Sequence, residues 1–174
     1  MPNELRVDVG APEDFDRWYR SQYSHVLSVL ALAVGNRDVA RDATDEAFTR
    51  ALERWERVAR LDAPTAWTIR VALNVARRTF SRRNKELELF ERIAPREAAH
   101  ADIYLAELVD LMNQLTVRAR TAIALRYVMM MHEDEIADVM GVSPGTVATT
   151  LHRARKRLAA ALERDHRHAL RRIS

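Results

Sequence analysis

The sequence predicts an all-α protein: two small helical domains joined by a linker, the second containing a helix-turn-helix. Three observations carry this. Apolar residues recur at helical spacing through most of the chain, and no segment shows the alternation of a strand. Only 4 glycines and 5 prolines occur in 174 residues, as suits a mostly helical protein. Residues 132–158, HEDEIADVMGVSPGTVATTLHRARKRL, read as a helix, a tight turn and a second helix with a basic far end. The first domain is placed at residues 12–83, the linker at 84–101 and the second domain at 102–163.

In order along the chain, residues 1–11 form a loose arm. A helix starts near Pro12 and keeps Phe15, Trp18, Tyr19, Tyr23, Val26, Leu27, Leu30 and Val34 on its inner side. Gly35-Asn36 breaks it. A second helix spans residues 38–57, with Val39, Ala43, Ala47, Phe48, Ala51, Leu52 and Trp55 facing inward. Residues 58–63 form a loop and Pro64 restarts a helix through Trp67, Val71 and Val75, whose apolar face gives way to a basic end at Arg78. Residues 84–101 are charged and alanine-rich around a proline, which reads as a linker, helical in its first half at most. Four helices follow, at about residues 102–114, 116–130, 133–140 and 144–162, with Thr116 as a cap and the final basic residues fraying. Three consecutive methionines, Met129 to Met131, cannot share one helical face, so at least one is exposed or at a partner surface.

The third and fourth of these helices are the most informative. Ile136, Val139 and Met140 recur behind an acidic start, and Gly141 suits the left-handed residue that ends a helix. Ser143 caps the next helix, and Pro144 sits where no internal hydrogen bond is lost. Val147, Leu151, Ala154 and Leu158 form its inner face, leaving Thr146, Ala148, Thr149, His152, Arg153, Arg155 and Lys156 for other surfaces. That is the layout of a DNA-binding helix-turn-helix, whose second helix enters the major groove.

Charge supports a polyanionic partner. The net charge is only +3, but it is segregated. Residues 68–85 carry six basic side chains and no acid, and residues 151–174 carry eight Lys or Arg against two acids. The absence of cysteine excludes disulfides, zinc fingers and thiol catalysis. His132-Glu133 lacks the second histidine of a zinc metalloprotease helix, His166 and His168 make a poor metal site alone, and there is no phosphate-cradling glycine loop. No enzyme activity, cofactor or metal is therefore expected. No apolar run reaches ~18 residues, so no membrane insertion is expected, and the N-terminus lacks the pattern of a signal peptide. The expected location is cytoplasmic.

At this point the chain resembles the extracytoplasmic-function, or group 4, bacterial RNA polymerase sigma factors. In the second domain, ALRYV (residues 124–128), DEIADVMGVSPGTV (134–147) and LHRARKRL (151–158) are similar to the family's promoter −35 reading domain, sigma domain 4. In the first, RDATDEAFTRAL (41–52) resembles the helix that docks on the polymerase clamp, and AWTIRVALNVARRTFSRR (66–83) the helix that meets the −10 element, in sigma domain 2. The resemblance implies core polymerase contacts at Asp42, Asp45, Glu46 and Arg50. It implies capture of one strand of the melted −10 element by Arg70, Asn74, Arg77, Arg78, Arg82 and Arg83, with residues 57–62 completing a pocket for an unstacked base. It implies −35 contacts from Thr146, Ala148, Thr149, His152, Arg153, Arg155 and Lys156. Two departures stand out. Ala43, Thr44 and Asp45 replace a usual leucine-valine-glutamine run, and Ala148, Thr149 and Thr150 replace a usual basic residue, serine and arginine.

The implied partners are core RNA polymerase, promoter DNA and an anti-sigma factor. With no cysteine here, any redox sensing must lie in that partner. The main rival is a helix-turn-helix regulator that binds duplex DNA without polymerase. A degenerate relative that mainly binds a protein partner is a third reading.

Overall fold

The computed structural model describes residues 13–87 and 111–173. Every regular element among them is a helix. They are α1 Glu13–Val34, α2 Arg37–Glu53, α3 Trp55–Val58, α4 Pro64–Leu87, α5 Val117–Tyr127, α6 Glu133–Met140 and α7 Pro144–Ile173. The arm and most of the proposed linker lie outside the described residues, as does most of the helix expected at 102–114, of which the turn at 111–113 is helical.

Local chemistry sets the boundaries. Gly35 ends α1 with φ +72°, a conformation other residues adopt at a cost. Asn36 then caps α2, its side-chain oxygen accepting from the Val39 N–H at 2.9 Å. The helix expected over residues 38–57 is interrupted: Arg54, at φ −124° and ψ 24°, ends α2, and a single turn, α3, follows. The interruption turns Trp55 inward, where only 8% of its surface remains accessible. Its Nε1–H donates to the Asp14 carboxylate at 2.9 Å, and its ring meets Phe15 edge-on at 5.1 Å and Trp18 at 4.9 Å. The loop read from the sequence stands, beginning after Val58, and α4 continues helical through Leu87.

Helices α1, α2 and α4 pack into a three-helix body around Val26, Val29, Leu30, Val39, Ala40, Ala43, Ala47, Ile69 and Ala72. The alanines of α2 allow close approach of helix backbones. The buried hydroxyls of Thr44, Thr68 and Thr121 each donate to the carbonyl four residues back, so none is left unpaired.

Helices α5, α6 and α7 form the second body. Thr116 caps α5 as expected, accepting from the Ala119 N–H at 3.3 Å. This helix stops three residues short of the predicted end. Met130 is left-handed at φ 55° and 75% exposed, while Met131 turns into the core. At the other end of the described residues, α7 extends beyond the expected end at 162 and stays helical to Ile173, through the residues from 164 on expected to fray.

The two bodies touch. Helix α5 lies against α1 and α6 against α4, so a single apolar cluster runs from Phe15 to Ala154.

Candidate nucleic-acid interface

The helix-turn-helix forms as the sequence dictates. The His132 N–H donates to the Glu135 carboxylate at 2.7 Å across the start of α6. Gly141 closes α6 with φ 65° and ψ 44°, and the Val142 N–H returns to the Ala137 carbonyl at 3.0 Å. Ser143 accepts from the Thr146 N–H at 3.3 Å and starts α7. Val147, Leu151 and Ala154 are fully buried against α5 and α6, which fixes the rotation of α7 about its axis. Gly145, Thr149, His152, Arg153, Arg155 and Lys156 are exposed, and Thr146 and Ala148 are half-buried at the flanks. The hydroxyl of Thr146 pairs with that of Ser143 at 2.9 Å, so Thr146 belongs to the cap as much as to the outer face.

The cationic stretch of α4 is built by the same rule. Ile69, Ala72 and Ala76 face the core, which leaves Arg70, Arg77 and Arg78 exposed and Asn74 half-buried between them. Arg77 Nη2 donates to Asn74 Oδ1 at 3.0 Å, so cation and amide share one surface. Arg70 is turned to the second body, where Nη2 donates to the Asp138 carbonyl on the last turn of α6. A cation at a helix C-terminus is favoured by the helix dipole. The side chains of Arg82 and Arg83 lie outside the described residues.

On α2, Asp42, Asp45 and Glu46 are exposed together. Glu46 pairs with Arg50, with Nη2 at 2.8 Å from Oε1. Two of the three departures in this helix lie in the core. Ala43 and Thr44 are fully buried, so they pack the first body and leave the outer face to the acids.

Three residues central to the architecture were absent from the sequence-level site. The Tyr23 hydroxyl donates to Asp45 Oδ1 at 2.6 Å, orienting one carboxylate of the α2 face. Burial, reinforced by this carboxylate, pushes the phenol up to about 12. Asp14 holds the Trp55 indole. Arg120 of α5 reaches α1: Nε donates to the Ala33 carbonyl at 3.1 Å, Nη2 to Val34 at 3.5 Å and Nη1 to Asn113 Oδ1 at 2.9 Å. Tyr23 reads as one more inward position of α1, and Arg120 as one of many surface arginines. Only the tertiary contacts distinguish them.

Among the described residues, no group of three or more His, Cys, Asp or Glu is placed to hold a metal ion, and no helix is long and apolar enough to cross a membrane.

Similarity to known proteins follows the same division. A family model described as "Sigma-70, region 4" matches residues 105–158, the segment holding the helix-turn-helix. The RNA polymerase sigma-E factor of Streptomyces coelicolor is 30% identical over 174 residues, covering 91% of this chain and 97% of that protein. The sigma-E factor of Streptomyces antibioticus is 34% identical over 155 residues, covering 86% and 85%. The fold matches the sigma factor RpoE of Bartonella quintana, solved in complex with the anti-sigma factor NepR, at a TM-score of 0.75 and 20% identity, over 87% of this chain and 98% of that one. These relatives extend across both bodies. The chain belongs to the extracytoplasmic-function family of RNA polymerase sigma factors.

Proposed function

We propose that this sigma factor, which binds core RNA polymerase and directs it to promoters, divides the work between its two bodies. Residues 12–83 act as sigma domain 2, residues 84–101 as the linker and residues 102–163 as sigma domain 4. The observation that supports this most is the order of two cation-bearing helices, α4 then α7, each held by an apolar face that leaves its polar groups outward. On α4, Arg77 and Arg78 track the phosphates of the melted −10 strand, with Arg82 and Arg83 extending the track. Asn74 offers an amide that both donates and accepts to an unstacked base. On α7, Arg153, Arg155 and Lys156 set position on duplex DNA, while Thr149 and His152 face the bases. Asp42, Asp45, Glu46 and Arg50 meet the polymerase. The polymerase supplies the chemistry, so no catalytic residue or cofactor is assigned to this chain, and it works in the cytoplasm where polymerase and DNA meet.

The touching of the two bodies bears on how they work. Elements centred about 25 base pairs apart are separated by roughly 85 Å of straight duplex at ~3.4 Å per pair. Among the described residues the bodies are in contact, and the longest helix, α7, is only about 45 Å at ~1.5 Å per residue. Arg70, one of the proposed −10 contacts, is engaged by the Asp138 carbonyl on the last turn of α6. The two bodies therefore part before both elements are held. A partner of anti-sigma type, such as the one bound to the Bartonella protein, would hold the closed arrangement.

Charge reversal tests the division. Asp45→Lys with Glu46→Lys should weaken binding to core polymerase and leave upstream duplex binding of the chain unchanged. Equal loss of both activities would remove the assignment of α2 to the polymerase.

A further inference from the structure

The outermost line of α7 runs through residues 145, 149, 152, 153 and 156, opposite the buried stripe of Val147, Leu151 and Ala154. In a helix-turn-helix the N-terminal residues of the second helix reach the base edges. Here those residues are chemically unusual. Gly145 has no side chain. The Thr149 hydroxyl donates to the Gly145 carbonyl at 2.9 Å, and the Thr150 hydroxyl donates to the Thr146 carbonyl at 2.7 Å. Thr146 is tied to Ser143 in the cap. The hydroxyl protons of Thr149 and Thr150 are thus engaged within the helix, and one of the two protons of the Ser143–Thr146 pair is engaged in the cap. The first arginine on the outer line is Arg153, about 12 Å along the axis from Gly145 at ~1.5 Å per residue.

With its proton engaged, exposed Thr149 is left with two features to offer a base: a methyl group and an oxygen that can only accept. Guanine presents two acceptors, N7 and O6, in the major groove, and its commonest specific partner is an arginine or lysine that donates twice. An acceptor facing acceptors is unfavourable. An A·T pair presents the complement, the adenine N6 amino group as donor and the thymine methyl as an apolar contact. A G·C pair offers the cytosine amino donor but no methyl.

We infer that the base pair under Thr149 is an A·T pair, chosen by the Thr149 methyl group against thymine and by its oxygen accepting from the adenine amino group. Guanine readout, where it occurs, is displaced to the Arg153 end of the helix. This rests on the reading of α7 as the −35 helix and adds which bases that helix takes. The departures at 148–150 then change the sequence selected instead of merely lowering affinity.

The test uses holoenzyme, reconstituted from core polymerase and the full chain, to select from a duplex library randomised across the promoter. The chain has no cysteine, so Thr149→Cys bearing a photocrosslinker marks the base pair beneath residue 149 at a single site. The expected result is an A·T pair there. Replacing its thymine by uracil, which removes only the methyl group, should weaken binding about fourfold, the worth of one buried methyl. Thr149→Val should keep that thymine preference, and Thr149→Arg should shift the selected pair to guanine by about tenfold or more. A guanine under wild-type Thr149, or indifference to uracil, overturns the inference while leaving α7 as the −35 helix. Selection with no upstream consensus overturns the −35 assignment itself and the inference with it.

Discussion

Arg120 Nε donates to the Ala33 carbonyl at 3.1 Å, tying the second helical body to the last turn of α1. The guanidinium also reaches the Val34 carbonyl and the Asn113 side chain, and the positive charge lies at the negative end of the α1 dipole. Burial lowers the arginine's pKa without a carboxylate to oppose it. The contact is built from carbonyls, which makes it sensitive to donor geometry as well as to charge.

Arg120→Ala should therefore destabilise the chain by about 2 kcal/mol, the cost of a lost charge-assisted bond and two carbonyls left poorly paired. Arg120→Lys should recover less than half, because a single ammonium cannot reproduce the fork. Urea unfolding measures both. A loss under about 0.5 kcal/mol in Arg120→Ala would show that the carbonyls are satisfied by water.

Gly35 and Gly141 separate two effects of a glycine. Both are left-handed, at φ 72° and 65°. A Cβ at Gly141 meets nothing within 4 Å, but one at Gly35 lies 3.2 Å from Asn113 Oδ1 and 3.3 Å from Arg120 Nη1. Gly141→Ala should cost about 1–2 kcal/mol for backbone strain alone. Gly35→Ala should cost about 1 kcal/mol more, through crowding at the contact between the bodies. Combining Gly35→Ala with Arg120→Ala should give less than the sum, since the crowded guanidinium is gone. Equal costs at the two glycines would mean that the contact yields freely.

Met130 holds a left-handed backbone with its side chain 75% exposed, so little packing repays the strain. Met130→Gly should raise stability by about 0.5–1 kcal/mol, the strain relieved less the extra freedom gained by the unfolded chain. Thermal unfolding checks the sign, and a destabilised variant would place the Met130 side chain in a contact that matters.

Local signals were legible in the sequence because they act over a few residues. The Thr116 and Ser143 caps, the left-handed Gly141 and the inner stripe of α7 were each read from neighbours alone, and each has that role. The break at Arg54 was not legible. No glycine or proline marks it, and it occurs where Trp55 turns to meet Asp14, 41 residues away. Arg120 was hidden for the same reason, since its acceptors lie 86 and 87 residues distant. The core also explains part of the atypical α2 sequence: Ala43 and Thr44 answer to packing and not to the exposed acidic face.

The Tyr23 contact carries a pH dependence. Its phenol is raised from 10.0 to about 12, first by burial and then by donating to Asp45. A group that binds its proton more tightly when folded contributes stability fully below the unfolded value, and loses it as pH rises through the folded one. The contribution is complete at pH 7–9 and fades between about 10 and 12. Ultraviolet titration should show a late tyrosine that disappears in Tyr23→Phe. Asp45→Asn should bring it back toward 10 only in part, because burial remains. An unchanged late tyrosine in Tyr23→Phe would assign the shift to another ring.

Exposed cations on α7 should appear in the salt dependence of upstream duplex binding. Arg153→Ala should reduce the slope of log K against log salt by about 0.9, the worth of one phosphate contact on duplex DNA. Ala148→Lys with Thr150→Arg should steepen it by about one to two units. An unchanged slope in both would mean that these flanks of α7 do not face the phosphates.

On the proposed division of labour, this chain confers promoter recognition on core polymerase through both bodies. The most direct test is RNA synthesis by reconstituted holoenzyme on a cognate promoter, comparing wild type with Asn74→Ala. Wild type should initiate at one defined start site, and Asn74→Ala should form few open complexes while keeping upstream duplex binding nearly intact. A chain that fails to bind core polymerase, or an Asn74→Ala holoenzyme that opens the promoter as readily as wild type, would contradict the account.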